Sequence, residues 1–156
     1  MPAADSLSAL LRPENILVGL AAEDRASVVK ALIANLAETG RITKAQIGAA
    51  SRMINEREND GTTALGNGLA VPHARVFFAD PVVAFALLRN GRDFNALDGA
   101  PVRFVYLLLT PKSDDDRHMA LLGTIMRFND DIVHRRALAG CLTVEDVRSV
   151  FIDYAS

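Results

Sequence analysis

Arg57-Glu58-Asn59-Asp60-Gly61-Thr62-Thr63-Ala64-Leu65-Gly66-Asn67-Gly68-Leu69-Ala70-Val71-Pro72-His73-Ala74-Arg75 is the stretch on which the reading of the whole chain turns. Between Gly61 and Gly68 three glycines, two threonines and an asparagine mark a loop or a pair of tight turns. Leu69–Val71 then reads as a short strand-like piece, and His73 follows it, held by Pro72 and flanked by Arg57 and Arg75.

Working outward, Thr43 and Gln46 form a capping box ahead of Ile47, Ala50 and Ile54, so a helix precedes the stretch and carries Arg57 near its end. Upstream of it, Asp24 to Thr39 repeats Val28, Val29, Leu32, Ile33 and Leu36 at helical spacing before Gly40. Downstream, Val82–Leu88 and Val102–Leu109, the second uninterrupted from Phe104 on, are apolar runs bounded by Pro81, Asn90-Gly91, Gly99 and Pro111, which predicts central strands covered on both faces. Asn90-Gly91 and Asp98-Gly99 predict turns between them.

Ser113 with Asp116 predicts a helix start that places His118, Leu121, Leu122 and Ile125 on one apolar face. A last helix opens at Thr143 with Asp146 and is expected to bury Val144, Val147, Val150, Phe151 and Tyr154. Helices before, between and after short buried strands argue for an α/β fold, a small mixed β-sheet flanked by helices on both faces as a three-layer sandwich. The strand order is not readable from the pattern.

The length of 156 residues, half of them hydrophobic, suits one compact domain over residues 1–156. Seventeen basic against 19 acidic side chains give a net charge of −2, so no nucleic-acid footprint appears. The apolar runs are too short for membrane insertion, and the N-terminus lacks a basic region followed by an apolar block. Cys141 is the single cysteine and reads as core filler; together these features lead us to expect a cytoplasmic protein.

The chemistry follows from charge. A phosphoryl acceptor nitrogen must be unprotonated, and an imidazole with an ordinary pKa near 6.5 meets that condition at neutral pH without a strong base. The transferred group spreads negative charge over its peripheral oxygens, so catalysis consists of positioning plus cations and N–H donors aimed at them. His73 is the candidate acceptor, Arg57 and Arg75 the candidate cations, and loop amides around Thr62, Thr63 and Gly66–Gly68 supplementary donors. His118 near a helix N-terminus is kept neutral by the helix dipole and can donate one hydrogen bond. Taken singly, each has a plainer reading: a core histidine, a weakly diagnostic glycine loop, solvated arginines, a helix-start charge bias at Asp114–Asp116, and an exposed position for His134 beside Arg135 and Arg136.

The stretch from Arg57 to Arg75 resembles the active-site signature of the fructose/mannitol-type enzyme IIA domains of the bacterial phosphoenolpyruvate-dependent phosphotransferase system, including their nitrogen-regulatory paralogues. The likeness extends to Leu10–Ile16, to Asp98-Gly99 with Val102–Leu109 and Pro111, to His118–Leu122, and to Leu138 with Thr143–Asp146. It implies a mixed sheet flanked by helices and a phosphocarrier, a phosphotransferase component rather than a free-standing turnover enzyme. By position in the motif, His73 is the phosphorylated residue and an HPr-type phosphocarrier protein its donor, with Arg57 neutralising phosphate charge and His118 orienting the ring or an oxygen. Thr63 occupies the small-hydroxyl position of the family loop as a phosphate contact, and Arg75 falls at a basic, variable position. The resemblance implies neither metal nor cofactor. The partner downstream is either a IIB domain, in sugar uptake, or regulatory target proteins; Leu65-Gly66-Asn67-Gly68 leans to the nitrogen-regulatory branch.

Two features depart from the pattern: the charged Asn59-Asp60 before Gly61, and the apolar pair Phe77-Phe78, which suits either a docking patch or packing. Two readings of other classes are a metal-dependent hydrolase using His73, His118 and Asp114–Asp116, and a non-phosphorylated binding module in which the histidines are passive.

Overall fold

The computed structural model describes residues 5–77 and 80–155. Their strands are β1 (Ile16–Leu20), β2 (Ala64–Gly66), β3 (Leu69–Ala70), β4 (His73–Val76), β5 (Val82–Arg92) and β6 (Val102–Pro111). Helices α1 (Leu7–Leu10), α2 (Arg25–Glu38) and α3 (Ile47–Asn59) precede most of the sheet, and α4 (Asp115–Asp130), α5 (Ile132–Ala139) and α6 (Val144–Tyr154) follow it.

The six strands form one mixed sheet in the order β1-β5-β6-β3-β2, with β4 also paired to β6. β5 and β6 are antiparallel, whereas β1 runs parallel to β5, and both β3 and β4 run parallel to β6. The two long apolar runs are therefore the central strands, and their alternation feeds two cores. Val82, Ala84, Ala86 and Leu88 of β5 and Val105, Leu107 and Leu109 of β6 pack with Val28, Leu32, Ile33 and Leu36 of α2 and Ile54 of α3. Val83, Phe85 and Leu87 of β5 and Phe104, Tyr106 and Leu108 of β6 face Leu121 and Ile125 of α4 and Val147 and Phe151 of α6. This is the expected three-layer sandwich, each face of the sheet sealed by helices.

Local chemistry sets the element ends. Asp24 caps α2 by accepting from the Ser27 amide, and Thr143 with Asp146 forms the expected capping box on α6. The Thr43–Gln46 box closes a 3-10 turn that runs directly into α3. Asn67 and Gly68 both take positive φ, 54° and 75°, and make the two-residue hairpin turn between β2 and β3.

Several expectations need correction. Asn90-Gly91 lies inside β5 rather than in a turn; a Cβ on Gly91 would stand 2.6 Å from Pro101 Cβ, so the glycine lets the segment leading into β6 approach closely. Ser113 is not the cap of α4, because Asp114 accepts from the Arg117 amide instead. Tyr154 is exposed and Val144 only half-buried, so α6 buries a narrower stripe than its pattern implied. His134 is not free in solvent, since its ring stacks on Phe128 at 4.4 Å and its Nδ1 pairs with the Phe128 carbonyl at 2.8 Å. Cys141 is buried, as its reading as core filler requires, and its thiol donates to the Ala137 carbonyl.

Candidate functional site

β4 decides where the chemistry sits. Along His73–Val76 the side chains alternate: Ala74 and Val76 enter the core shared with α2 and α3, while His73 and Arg75 point to the opposite face. Parallel pairing aligns His73 with Leu108 and Arg75 with Thr110 on β6. α4 begins just beyond the end of β6 and carries His118 down onto that same face, where the two imidazoles lie 5.2 Å apart between centroids and tilted by 49°. Arg57, in the last turn of α3, comes from the other side, and its Nη1 donates to the Gly61 carbonyl at 3.0 Å.

The result is a cavity of about 400 Å³ lined by His73, His118, Arg57, Arg75, Lys112 and Met53, with Glu56 and Asp60 at its edge. The structure thus brings together both histidines and both arginines singled out in the sequence. Arg75 is also tied to α4 through Asp115 Oδ1 at 3.0 Å.

The two rings are held in different ways. His73 Nδ1 lies 2.7 Å from the Val71 carbonyl oxygen; a carbonyl only accepts, so Nδ1 carries the proton and Nε2 keeps its lone pair. Partial burial lowers the His73 pKa from its ordinary value against the opposing pull of the Val71 bond, and the positive charges of Arg57 and Arg75 lower it further. His118 is 2% exposed, and its Nδ1 lies 2.5 Å from the hydroxyl of Thr110, itself fully buried. Burial, then the neighbouring His73, Arg75 and Arg57, push the His118 pKa down to about 4. In both rings the surroundings favour the neutral form.

Thr63 is placed differently from its expected role. Its hydroxyl donates to Glu58 Oε2 at 2.6 Å, its amide points at the same carboxylate, and its side chain is buried outside the cavity lining. It locks the loop to the end of α3 and does not present an open hydroxyl to a phosphate. Asp114 and Asp115 are likewise engaged, as helix cap and as partner of Arg75, and among the described residues no three His, Cys, Asp or Glu side chains converge on a metal position. Phe77 is 86% exposed with the Lys112 ammonium 4.2 Å above its ring, and Phe78 lies outside the described residues. No described helix is long and apolar enough to cross a membrane.

Thr110 and Lys112 were missed by sequence reasoning. A single hydroxyl at the end of a run of leucines reads as strand propensity, and only the β4–β6 register reveals that Thr110 shares a face with His73.

The family model described as "Phosphoenolpyruvate-dependent sugar phosphotransferase system, EIIA 2" matches residues 9–154. Among curated proteins the chain is 37% identical over 98 residues to a nitrogen regulatory protein of Pseudomonas aeruginosa, covering 62% of this chain and 64% of that protein. It is 35% identical over 124 residues to one of Bradyrhizobium diazoefficiens, covering 78% of each. A fructose-specific EIIA component of Haloferax volcanii is 31% identical over 103 residues, 65% of each chain. Aligned segments thus span just under two thirds of the Pseudomonas and Haloferax proteins. Among solved structures, the nitrogen regulatory protein IIA-Ntr of Neisseria meningitidis superposes with a TM-score of 0.83 at 23% identity, covering 93% of this chain and 98% of that one. The complex of mannitol enzyme IIA with phosphorylated enzyme IIB from Escherichia coli gives 0.74 at 19% identity, covering 92% and 99%. At such identities these two likenesses speak for the fold.

Proposed function

The chain belongs to the EIIA type 2 family of the phosphoenolpyruvate-dependent sugar phosphotransferase system, and from that premise we propose that Nε2 of His73 is the atom that receives the phosphoryl group. The family is one of phosphocarriers, homologous here to nitrogen regulatory proteins. The observation that carries the assignment is the Val71 carbonyl on Nδ1, which leaves Nε2 as the unprotonated nitrogen in a cavity with two guanidiniums and a neutral second imidazole.

The step balances without an added base. The Nε2 lone pair attacks phosphorus, the N–P bond forms as the bond from phosphorus to the donor's leaving atom breaks, and that electron pair returns to the donor. The His73 ring then gains positive charge, which the Nδ1–H···O=C bond to Val71 stabilises. A protonated ring is also a good leaving group, so the same carbonyl favours passing the phosphoryl group on. Arg57 and Arg75 answer the charge on the phosphoryl oxygens, and His118 donates a hydrogen bond to one of them. Exposed Phe77 beside the cavity suits the apolar contact a protein donor makes on approach.

The donor is an HPr-type protein. The acceptor side is regulatory: the phosphorylation state of His73 governs which target proteins bind, a reading supported by the nitrogen regulatory relatives. Likeness to the fructose-specific Haloferax component supports a second reading, onward transfer to a IIB domain. Incubation with phosphoenolpyruvate, enzyme I and HPr should place an acid-labile, base-stable phosphate on the chain that disappears in His73→Ala. No uptake would leave a passive binding module. Discharge of the phosphoprotein on adding a IIB domain separates the two acceptor readings.

A further inference from the structure

Among the described residues, Thr110 is the only partner of the His118 Nδ1, and its hydroxyl has no other hydrogen-bond partner. Two arrangements fit that contact. If Nδ1 carried the proton and donated to Thr110, the threonine proton would be left without an acceptor in a fully buried position. If the hydroxyl donates to Nδ1, both buried groups are satisfied and the imidazole proton resides on Nε2. No described residue engages that Nε2, and the ring lines the cavity beside His73.

We propose that Thr110 is a positioning residue that fixes His118 as the neutral Nε2–H tautomer, so that its single donor is presented to the phosphoryl group carried by His73. The inference rests on the phosphocarrier reading for its purpose but not for its geometry. Placement supports it: Thr110 follows Phe104, Tyr106 and Leu108 on the α4-facing side of β6, at a position where another apolar side chain would continue the core. Thr110 is also the register partner of Arg75 of β4, which pairs with Asp115 of the helix that bears His118.

The test compares the intact chain with Thr110→Val, which keeps the shape and removes the hydroxyl, and with Thr110→Ser, which keeps the hydroxyl. Imidazole nitrogen-15 shifts should show His118 of the wild type protonated at Nε2 and bare at Nδ1. The valine variant should lose that single-tautomer signature and take up phosphoryl groups from phospho-HPr about tenfold more slowly, the loss of one hydrogen bond's worth of orientation. The serine variant should recover both. A wild-type ring protonated at Nδ1 overturns the proposal outright, even if neither variant folds. An unchanged tautomer and rate in a folded valine variant overturn it as well. Should the wild-type chain accept no phosphate at all, the phosphocarrier reading fails while the tautomer result still stands or falls by itself.

Discussion

Asp115 Oδ1 stands 3.0 Å from Arg75 Nη1, so one of the two guanidiniums beside His73 is already engaged by a carboxylate of α4 before any phosphate arrives. Both side chains are substantially exposed, and such pairs contribute little to stability, on the order of 0–1 kcal/mol. A dianionic phosphoryl group therefore competes for Arg75 with a single, weakly held rival. Asp115→Asn should leave the unfolding free energy nearly unchanged while accelerating phosphoryl uptake about twofold, or extending the lifetime of phospho-His73. Stopped-flow transfer from phospho-HPr measures the first, and slower uptake would mean that Asp115 holds Arg75 productively.

Arg57 differs in that its one described hydrogen bond goes to the Gly61 carbonyl at a partly open helix end. Arg57→Ala should cost less than about 1 kcal/mol in denaturant unfolding but slow transfer by about a hundredfold, the scale for removing a charge-stabilising donor. A large stability loss with normal transfer kinetics would reassign the residue to the scaffold.

The pH dependence of uptake has a definite sign. Burial, together with Arg57 and Arg75, holds the His73 pKa below its ordinary value, and only the neutral ring attacks phosphorus. Uptake should fall as the pH drops through a midpoint below 6.5. A proton NMR titration of the His73 ring gives that midpoint directly; a value at or above 6.5 contradicts the electrostatic account.

His118 adds an effect on stability. Its folded pKa of about 4 lies below the unfolded value of about 6.5, so the unfolded chain binds more protons between those limits. The neutral ring's contribution is complete above pH 6.5 and is lost as the pH falls toward 4, by at most about 3 kcal/mol. Guanidinium unfolding at pH 7.5 and at pH 5 should show this drop, and His118→Gln should reduce it, leaving the part that His73, whose pKa is also lowered, contributes with the same sign. The carboxylates held below their usual range, Asp5, Asp24, Asp98 and Asp146, act at lower pH and do not mimic it.

Glu58 holds the loop by accepting from both the amide and the hydroxyl of Thr63. Glu58→Ala leaves two buried donors without a partner and should destabilise the fold by about 2 kcal/mol, read as a lower denaturant midpoint. An unchanged midpoint would mean that water replaces the carboxylate there.

What could be read from the sequence was whatever repeats or punctuates. The two apolar runs became β5 and β6, and the periodic stretch after Asp24 became α2, because burial on one or both faces leaves its period in the residues. The histidines and arginines of the cavity were legible because turn chemistry, a proline and a cluster of cations fell within one short stretch, and because that stretch resembles a known signature. β1 escaped because Gly19, at φ 71°, interrupts a short apolar segment, and α5 because Ile132 and Val133 face outward and only Leu138 is buried. Thr63 misled for a different reason: its hydroxyl looks available until Glu58, five residues earlier, folds back onto it.

The alternation along β4 has one more implication. Sliding this strand by a single residue against β6 would drive an imidazole and a guanidinium into oil and throw Ala74 and Val76 out to water. Correct alignment of the reactive nitrogen is thereby guarded by the same force that condenses the chain. A one-residue insertion between Val71 and His73 should silence the protein, whereas lengthening the turn at Asn67-Gly68 leaves the downstream alignment intact.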